Sequence, residues 1–372
     1  MPSEALNAAA DRAALAASAA TLRALASETR LTGATLHLAL VAFFCATGMS
    51  AADAKDGSDA AVFAQLSGSD SHGAVTLPLY AAGLLDGTIK ARPKMRFLPG
   101  LPASCVLDAD NALGLLAARH AIEHAVSLAK TYGLGAVAVR NSSHFGTAGY
   151  LADFAAARGC IGIAVSNAGP AIAPPGGSQA YLGTNPIGAG VPLSGEPFVL
   201  DMATTIVARS KIRQSLAAGV TTLPEGWALD RDGNPTTDTN AALDGSILPI
   251  GGPKGFGLAL LIELLSSALS DGEPGAKITY EHVVRRPSQT GHFVLAIDPA
   301  GFAGSKAFID RASRIVADIE RSRTGPSASR PRLPGRRAQA TRRTAAVEGF
   351  VVIPNLAAAL RQTADMIDKR LA

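Results

Sequence analysis

The stretch "ALGLLAARHAIEHAVSLAKTYGLGAVAVRNSSHFGTAGYLADFAAARGCIGIAVSNAG", residues 112–169, decides the fold class. Its first part carries apolar residues at helical spacing and ends at Gly133, the residue type that closes helices in the left-handed conformation. "LGAVAVRN" then reads as a buried strand, "YLADFAAARG" as a second helix and "CIGIAVSNAG" as a second strand. Helices alternating with buried strands predict an α/β or α+β lobe. Between the first strand and the second helix stands His144, flanked by Ser142 and Ser143 and by a Phe-Gly pair. A strand end facing a glycine-containing turn can hold a catalytic ring rigidly and still let it reach a ligand. The alternative is an ordered-loop histidine whose nitrogens are satisfied by the two serines.

Outward from this stretch the pattern changes on both sides. Residues up to about 100 read mainly as helices, with "LPLYAAGLLDG" the last of them. Short strands and turns follow residue 169, then the helix "GFGLALLIELLSSALSDG" and the strand "GHFVLAIDP". Residues 306–321 and 355–371 read as helical again. The expected organisation is an alanine-rich N-terminal extension over 1–35, a first helical part over 36–102, a sheet domain over 103–300 and a second helical part over 301–372. Both chain ends would then build one helical lobe around a central sheet lobe.

Composition narrows the class. A chain of 372 residues, 48% hydrophobic and 17% charged, can bury a large core in more than one lobe. Aromatics at 5% against 38 glycines and 22 prolines suit a loop-rich enzyme better than an aromatic nucleic-acid platform. Cys45, Cys105 and Cys160 lie far apart, which indicates neither a disulfide framework nor a zinc ribbon and fits a reducing cytoplasm. The apolar run "LHLALVAFFCATGM" from Leu36 falls short of the ~20 residues that span a bilayer, and the N-terminal segment lacks the layout of a secretory signal. The segment "RSRTGPSASRPRLPGRRAQATRR", residues 321–343, has eight arginines and no acid. With no stacking aromatics beside it, we read it as a solvated, proline-broken loop rather than a nucleic-acid contact.

Several motifs compete for the chemistry. "GLGAVA", "GAGVPL" and "GFGLAL" each miss the last glycine of the dinucleotide fingerprint G-x-G-x-x-G, and "GGPKGFG" lacks the spacing of a phosphate loop. "HAIEH", residues 120–124, matches the inverted zinc-peptidase pattern, with His120 and His124 one helical turn apart and Glu123 as base; its other reading is the wet face of an amphipathic helix. "GSDSHGAVTLPLY", residues 68–80, holds a second histidine, His72, beside Ser71, with Tyr80 able to hydrogen-bond a small polar ligand.

Taken in order, "DSHG" with "LPLY", "VRNSSHFG" with His144 72 residues after His72, "SNAGPAIAPPGG", "LGTNPIGAGVP", "LDMATT", "LPEGWALDRDGNPTTD" and "LPIGGPKGFGLAL" resemble the type 2 malate/L-lactate dehydrogenase family. That family also contains ureidoglycolate and sulfolactate dehydrogenases, diketogulonate reductase and cyclic imine carboxylate reductases. The resemblance runs from about residue 53 to the C-terminus. It implies a non-Rossmann NAD- or NADP-dependent α/β (α+β) fold, a homodimer, and a small carboxylate substrate, with no nucleic-acid or membrane partner and no metal. By motif position His144 matches the proton donor and acceptor, and Ser71, His72 and Tyr80 match substrate-side residues. Ser166 and Ala168, then Asp201, Met202, Ala203 and Thr204, then Gly252, Lys254 and Gly255 match cofactor contacts.

The implied reaction interconverts a 2-hydroxy acid and its 2-oxo acid by hydride transfer, and a histidine suits the accompanying proton movement. One departure stands out. Where the family carries an arginine to hold the substrate carboxylate, this chain has Thr76, and a hydroxyl does not replace a guanidinium fork. Either Lys211 or Arg209 supplies the cation, or the substrate differs, or the chain is a catalytically weakened member. The imine reductases carry an acid near the position of Lys211, which favours hydroxy-acid chemistry over cyclic imine reduction. A zinc hydrolase through "HAIEH" is the reading from a different class.

Overall fold

The computed structural model describes residues 9–69, 71–279, 285–323, 325 and 331–372. The N-terminal third forms α1 (Ala9–Leu25), the short strand β1 (Arg30–Leu31), α2 (Gly33–Ala46), α3 (Ala51–Leu66) and α4 (Leu77–Asp86). Thr32 and Ser50 start α2 and α3 by accepting the backbone N–H of Thr35 and Asp53, which satisfies donors the helix leaves open. From the other end of the chain come β12 (Phe350–Val351) and α12 (Pro354–Leu371). β1 and β12 pair antiparallel, and α12 packs on α1 and α4, so the two chain ends build one helical layer. Residues 9–25, expected to belong to an extension, are part of that layer: Leu15 and Leu22 are fully buried, because a row of apolar side chains one helical turn apart faces α12.

A seven-stranded sheet lies against this layer. Its strands are β2 (Arg96–Leu98), β3 (Ser104–Asp108), β4 (Leu134–Ser142), β5 (Ile161–Ser166), β6 (Ile187–Val191), β7 (Phe198–Met202) and β11 (Thr290–Ile297), in the order β2-β3-β4-β11-β5-β6-β7. β3 and β4 run parallel, joined through α5 (Gly114–Tyr132), and the other neighbours run antiparallel. A largely antiparallel sheet has no series of βαβ units on which a glycine fingerprint could sit, which accounts for its absence from the sequence. α5 ends at Gly133 with φ +86°, and α6 (Ala148–Ala156) covers β5 and β6. Leu107, Val137, Ala164 and Val294 of the sheet share one continuous core with Leu36, Phe43 and Leu360 of the helical layer.

Beyond β7 a small unit has its own core of Ile212, Leu223, Ala228, Ala242 and Ile247. It contains α7 (Arg209–Ala217), β8 (Ala228–Leu229), β9 (Pro235–Thr236), α8 (Thr239–Asp244) and β10 (Ser246–Ile247). Then come α9 (Pro253–Ser266), α10 (Ser305–Glu320) and α11 (Arg336–Glu348). The arginine-rich segment departs from its reading as a loop. Its central residues 326–330 lie outside the described residues, but residues 336–343 are the first turns of α11. Arginine, alanine and glutamine are good helix formers, and ion pairs of Arg336 with Glu320, Arg342 with Asp153 and Arg343 with Glu196 offset the crowding of like charge. Among the described residues no helix is long and apolar enough to cross a membrane.

Candidate active site

His144 stands in the turn from β4 to α6, and the residues around it are anchored one by one. Ser142 lies 2.8 Å from Nε2 of His292. Ser143 Oγ accepts the N–H of Gly114 at 2.8 Å and donates to the carbonyl of Ala112. The Phe145 ring stacks on His292 with 4.8 Å between centroids. Gly146 follows with φ +77°, where a side chain would be strained and a Cβ would also lie 2.7 Å from Leu115. The backbone on both sides of His144 is therefore fixed by packing to α5 and β11.

Its ring is held as firmly. Tyr80, buried in α4, places its hydroxyl 2.9 Å from Nδ1, which leaves Nε2 for a ligand. The His72 ring stacks against it at 5.5 Å, and Ser71 Oγ lies 2.8 Å from His72 Nδ1. Gly73 lets the backbone after His72 lie close to α3, since a Cβ there would come within 3.0 Å of the Gln65 backbone. Burial, then the neighbouring His72 and His292, push the His144 pKa down to about 3, and burial also lowers that of His72. Both rings are thus neutral near pH 7.

The two histidines open into a cavity of about 790 Å³ between the helical layer, the sheet and α7. Of the residues expected from motif position, Ser71, His72, His144, Ser166, Ala168, Asp201, Met202, Ala203 and Lys211 line it. Tyr80 acts from behind His144. Thr204 is fully buried and donates to the Thr184 carbonyl, and Gly252, Lys254 and Gly255 lie at the start of α9, outside the lining of this cavity. The Ser166 hydroxyl is turned inward onto the carbonyls of Asn167 and Gly291 and onto His292 Nδ1. Asp201 faces the cavity, where desolvation raises its pKa to about 6 against the lowering effect of the Gly149 N–H. Arg209 is spent on the carbonyls of Pro170 and Leu243, while Lys211 lies 5.3 Å from the centre of the Trp227 ring. Thr76 donates to the Gly73 carbonyl at the start of α4 and is not part of the lining.

The competing metal motif does not assemble. Glu123 is paired with Arg119 at 3.0 Å, the His124 ring packs on Phe97, and among the described residues no group of three or more histidine, cysteine or acidic side chains could hold a metal ion.

Sequence reading missed three contributors. His292 bridges Ser142 and Ser166 from the centre of the sheet, and the one signal for it was a histidine in the otherwise apolar strand "GHFVLAIDP". Glu263 of α9 is buried and accepts the amides of Asn167 and Asn185, bracing the wall behind Ala168. Arg337 of α11 reaches the cavity from the segment set aside as a loop.

A family model described as malate/L-lactate dehydrogenase matches residues 32–361. The chain is 41% identical over 275 residues to an L-sulfolactate dehydrogenase of Methanocaldococcus jannaschii, covering 74% of this chain and 79% of that protein. It is 38% identical over 308 residues to a (2R)-3-sulfolactate dehydrogenase (NADP(+)) of Chromohalobacter salexigens (82% and 89%), and 31% identical over 325 residues to a ureidoglycolate dehydrogenase (NAD(+)) of Escherichia coli (87% and 92%). Among solved structures, the M. jannaschii sulfolactate dehydrogenase superposes with a TM-score of 0.84 at 36% identity, covering 91% of this chain and 97% of that one. A Δ1-piperideine-2-carboxylate reductase of Pseudomonas syringae superposes at 0.81 with 28% identity, covering 90% and 100%. With the match running through both the helical layer and the sheet, this chain belongs to the malate/L-lactate dehydrogenase family.

Proposed function

We propose that this protein is an NAD- or NADP-dependent oxidoreductase that interconverts a small 2-hydroxy acid and its 2-oxo acid, with His144 as the acid and base. The observation that carries this reading is the environment of His144: Nδ1 held by Tyr80, the ring in the cavity lining, and a second imidazole stacked alongside. A dinucleotide fits the rest of the cavity. Its volume lies within the usual range of about 300–1,000 Å³ for ligand sites. In addition, Thr147 Oγ1, at the N-terminus of α6, is buried in the cavity wall with no hydrogen-bond partner among the described residues. Ser166, Ala168, Asp201, Met202 and Ala203 would line the bound cofactor, which supplies the hydride chemistry when present.

The protein's part follows from the geometry. In the oxidising direction neutral His144 accepts the hydroxyl proton at Nε2, while its Nδ1–H donates a hydrogen bond to the Tyr80 hydroxyl oxygen. In the reducing direction the protonated ring donates from Nε2 to the developing alkoxide. An anion bound beside the ring counteracts the effect of burial and brings its pKa toward the working range. Hydroxy-acid chemistry is favoured over imine reduction by the cationic side chain of Lys211 in the cavity wall. We further propose a cytoplasmic homodimer; the exposed apolar residues Leu260, Leu261 and Leu264 along α9 support the dimeric part.

The test is a panel of 2-oxo acids, including those of malate, lactate and sulfolactate, and cyclic imine carboxylates, each with NADH and NADPH. Turnover of a 2-oxo acid is expected, and His144→Ala lowers it by roughly 10²- to 10⁴-fold with cofactor affinity nearly intact. Turnover of imines alone, or a His144→Ala protein as active as the parent, overturns the proposal.

A further inference from the structure

We propose that Arg337 of α11 is the residue that binds the substrate carboxylate, so that the basic C-terminal helix determines specificity for acids. This rests on the oxidoreductase reading above. Three observations lead to it. First, the arginines of α11 divide by partner. Arg336, Arg342 and Arg343 are held by Glu320, Asp153 and Glu196, whereas Arg337 is exposed, lines the cavity and makes no ion pair among the described residues.

Second, the helix sets where Arg337 stands. Thr341, one turn further along the same face, packs on Gly68, where its Cγ2 lies 3.5 Å from the Cβ position, and Arg342 donates to Ser67 Oγ. Arg337 therefore enters the cavity from the helix that packs on Gly68, and Gly68, Ser69, Ser71 and His72 line the same cavity. Third, the other cations of the lining, Arg209, Lys211 and Arg213, belong to α7, in the small unit beyond the sheet. Arg209 is tied to two carbonyls and Lys211 lies against Trp227. Thr76, which could have presented a donor from the helical side, spends its hydroxyl on Gly73.

A guanidinium offers a planar fork that takes both oxygens of a carboxylate, and such a contact orients the acid as well as holding it. With the carboxylate on Arg337 and the adjacent oxygen on His144, the substrate is held at both its charged group and its reacting oxygen.

The experiment compares the parent protein with Arg337→Ala and Arg337→Lys. For the 2-oxo acid turned over best, Arg337→Ala is expected to raise KM about 10- to 100-fold and to change kcat less, with Arg337→Lys in between. For the methyl ester of the same acid, which has no carboxylate charge, the rise in KM is much smaller. Dissociation constants of NADH and NADPH, measured by fluorescence, stay within about twofold. A KM unchanged for the acid, equal losses for acid and ester, or a loss confined to cofactor binding each overturn the assignment. Calorimetric binding of oxamate, an unreactive 2-oxo acid mimic, tests it independently of turnover. If the parent protein reduces nothing in the panel, the functional reading fails on its own; equal oxamate affinity in parent and Arg337→Ala then refutes the anion site as well, and weaker affinity in the variant retains it.

Discussion

The Tyr80 hydroxyl lies 2.9 Å from Nδ1 of His144, joining a helix of the N-terminal layer to the turn after a central strand. Because Nδ1 keeps its hydrogen whether or not Nε2 is protonated, the Tyr80 oxygen accepts from it in both states and the contact holds the imidazole in one orientation. Tyr80→Phe keeps the ring packing and removes the oxygen. At about 1 kcal/mol for one hydrogen bond, kcat is expected to fall roughly fivefold, with cofactor affinity unchanged and the pH dependence of kcat displaced. Steady-state kinetics across pH check this, and a Tyr80→Phe profile that overlays the parent would show that the hydroxyl does not act on His144.

Gly114 carries the other support of the same turn. A Cβ at this position would lie 2.1 Å from the Ser143 carbonyl oxygen and 2.4 Å from that of His144. Gly114→Ala must therefore displace the backbone that bears the imidazole. We expect a stability loss of about 1–3 kcal/mol and a fall in turnover of up to roughly 10²-fold, the cost of misplacing a reacting group by about 1 Å. Gly195→Ala, which meets nothing within 4 Å, is the control and should change neither. Chemical denaturation together with kcat decides, and an unaltered Gly114→Ala enzyme would contradict the packing described.

His292 links stability to pH. Buried between Ser142 and Ser166, it is held neutral, with burial pushing its pKa down to about 3 from an ordinary value of 6.5. Below pH 6.5 the unfolded chain binds a proton at this position that the folded chain does not. Its contribution to stability therefore falls as pH drops from 6.5 toward 3, by up to about 1.4 kcal/mol per pH unit. Asp201, raised to about 6, acts with the opposite sign between its ordinary value near 3.8 and 6. A comparison of parent and His292→Gln by denaturant titration at several pH values isolates the histidine. The variant should lose close to one proton from the slope between pH 6 and 5, and identical slopes would show that His292 is protonated in the folded protein.

Local sequence determined the parts whose causes are local. The helix ending at Gly133, the strand into Ser142 and the helix after Gly146 follow from side-chain periodicity and from glycines at positive φ, which act over a few residues. Ordered motifs likewise marked His144, His72 and Asp201, and the family to which the chain belongs.

Tertiary structure decided what those parts meet. β11 enters between β4 and β5, so His292 touches Ser142 and Ser166 across 150 and 126 residues of chain, and no local pattern encodes that register. The same holds for Arg337. In the sequence it is one of eight arginines in a basic run; in the fold its neighbours find carboxylates and it alone among Arg336, Arg337, Arg342 and Arg343 turns to the cavity. Which cation is bound in an ion pair and which is left for a ligand depends on acids brought near by packing, and chain order carries no record of that distance.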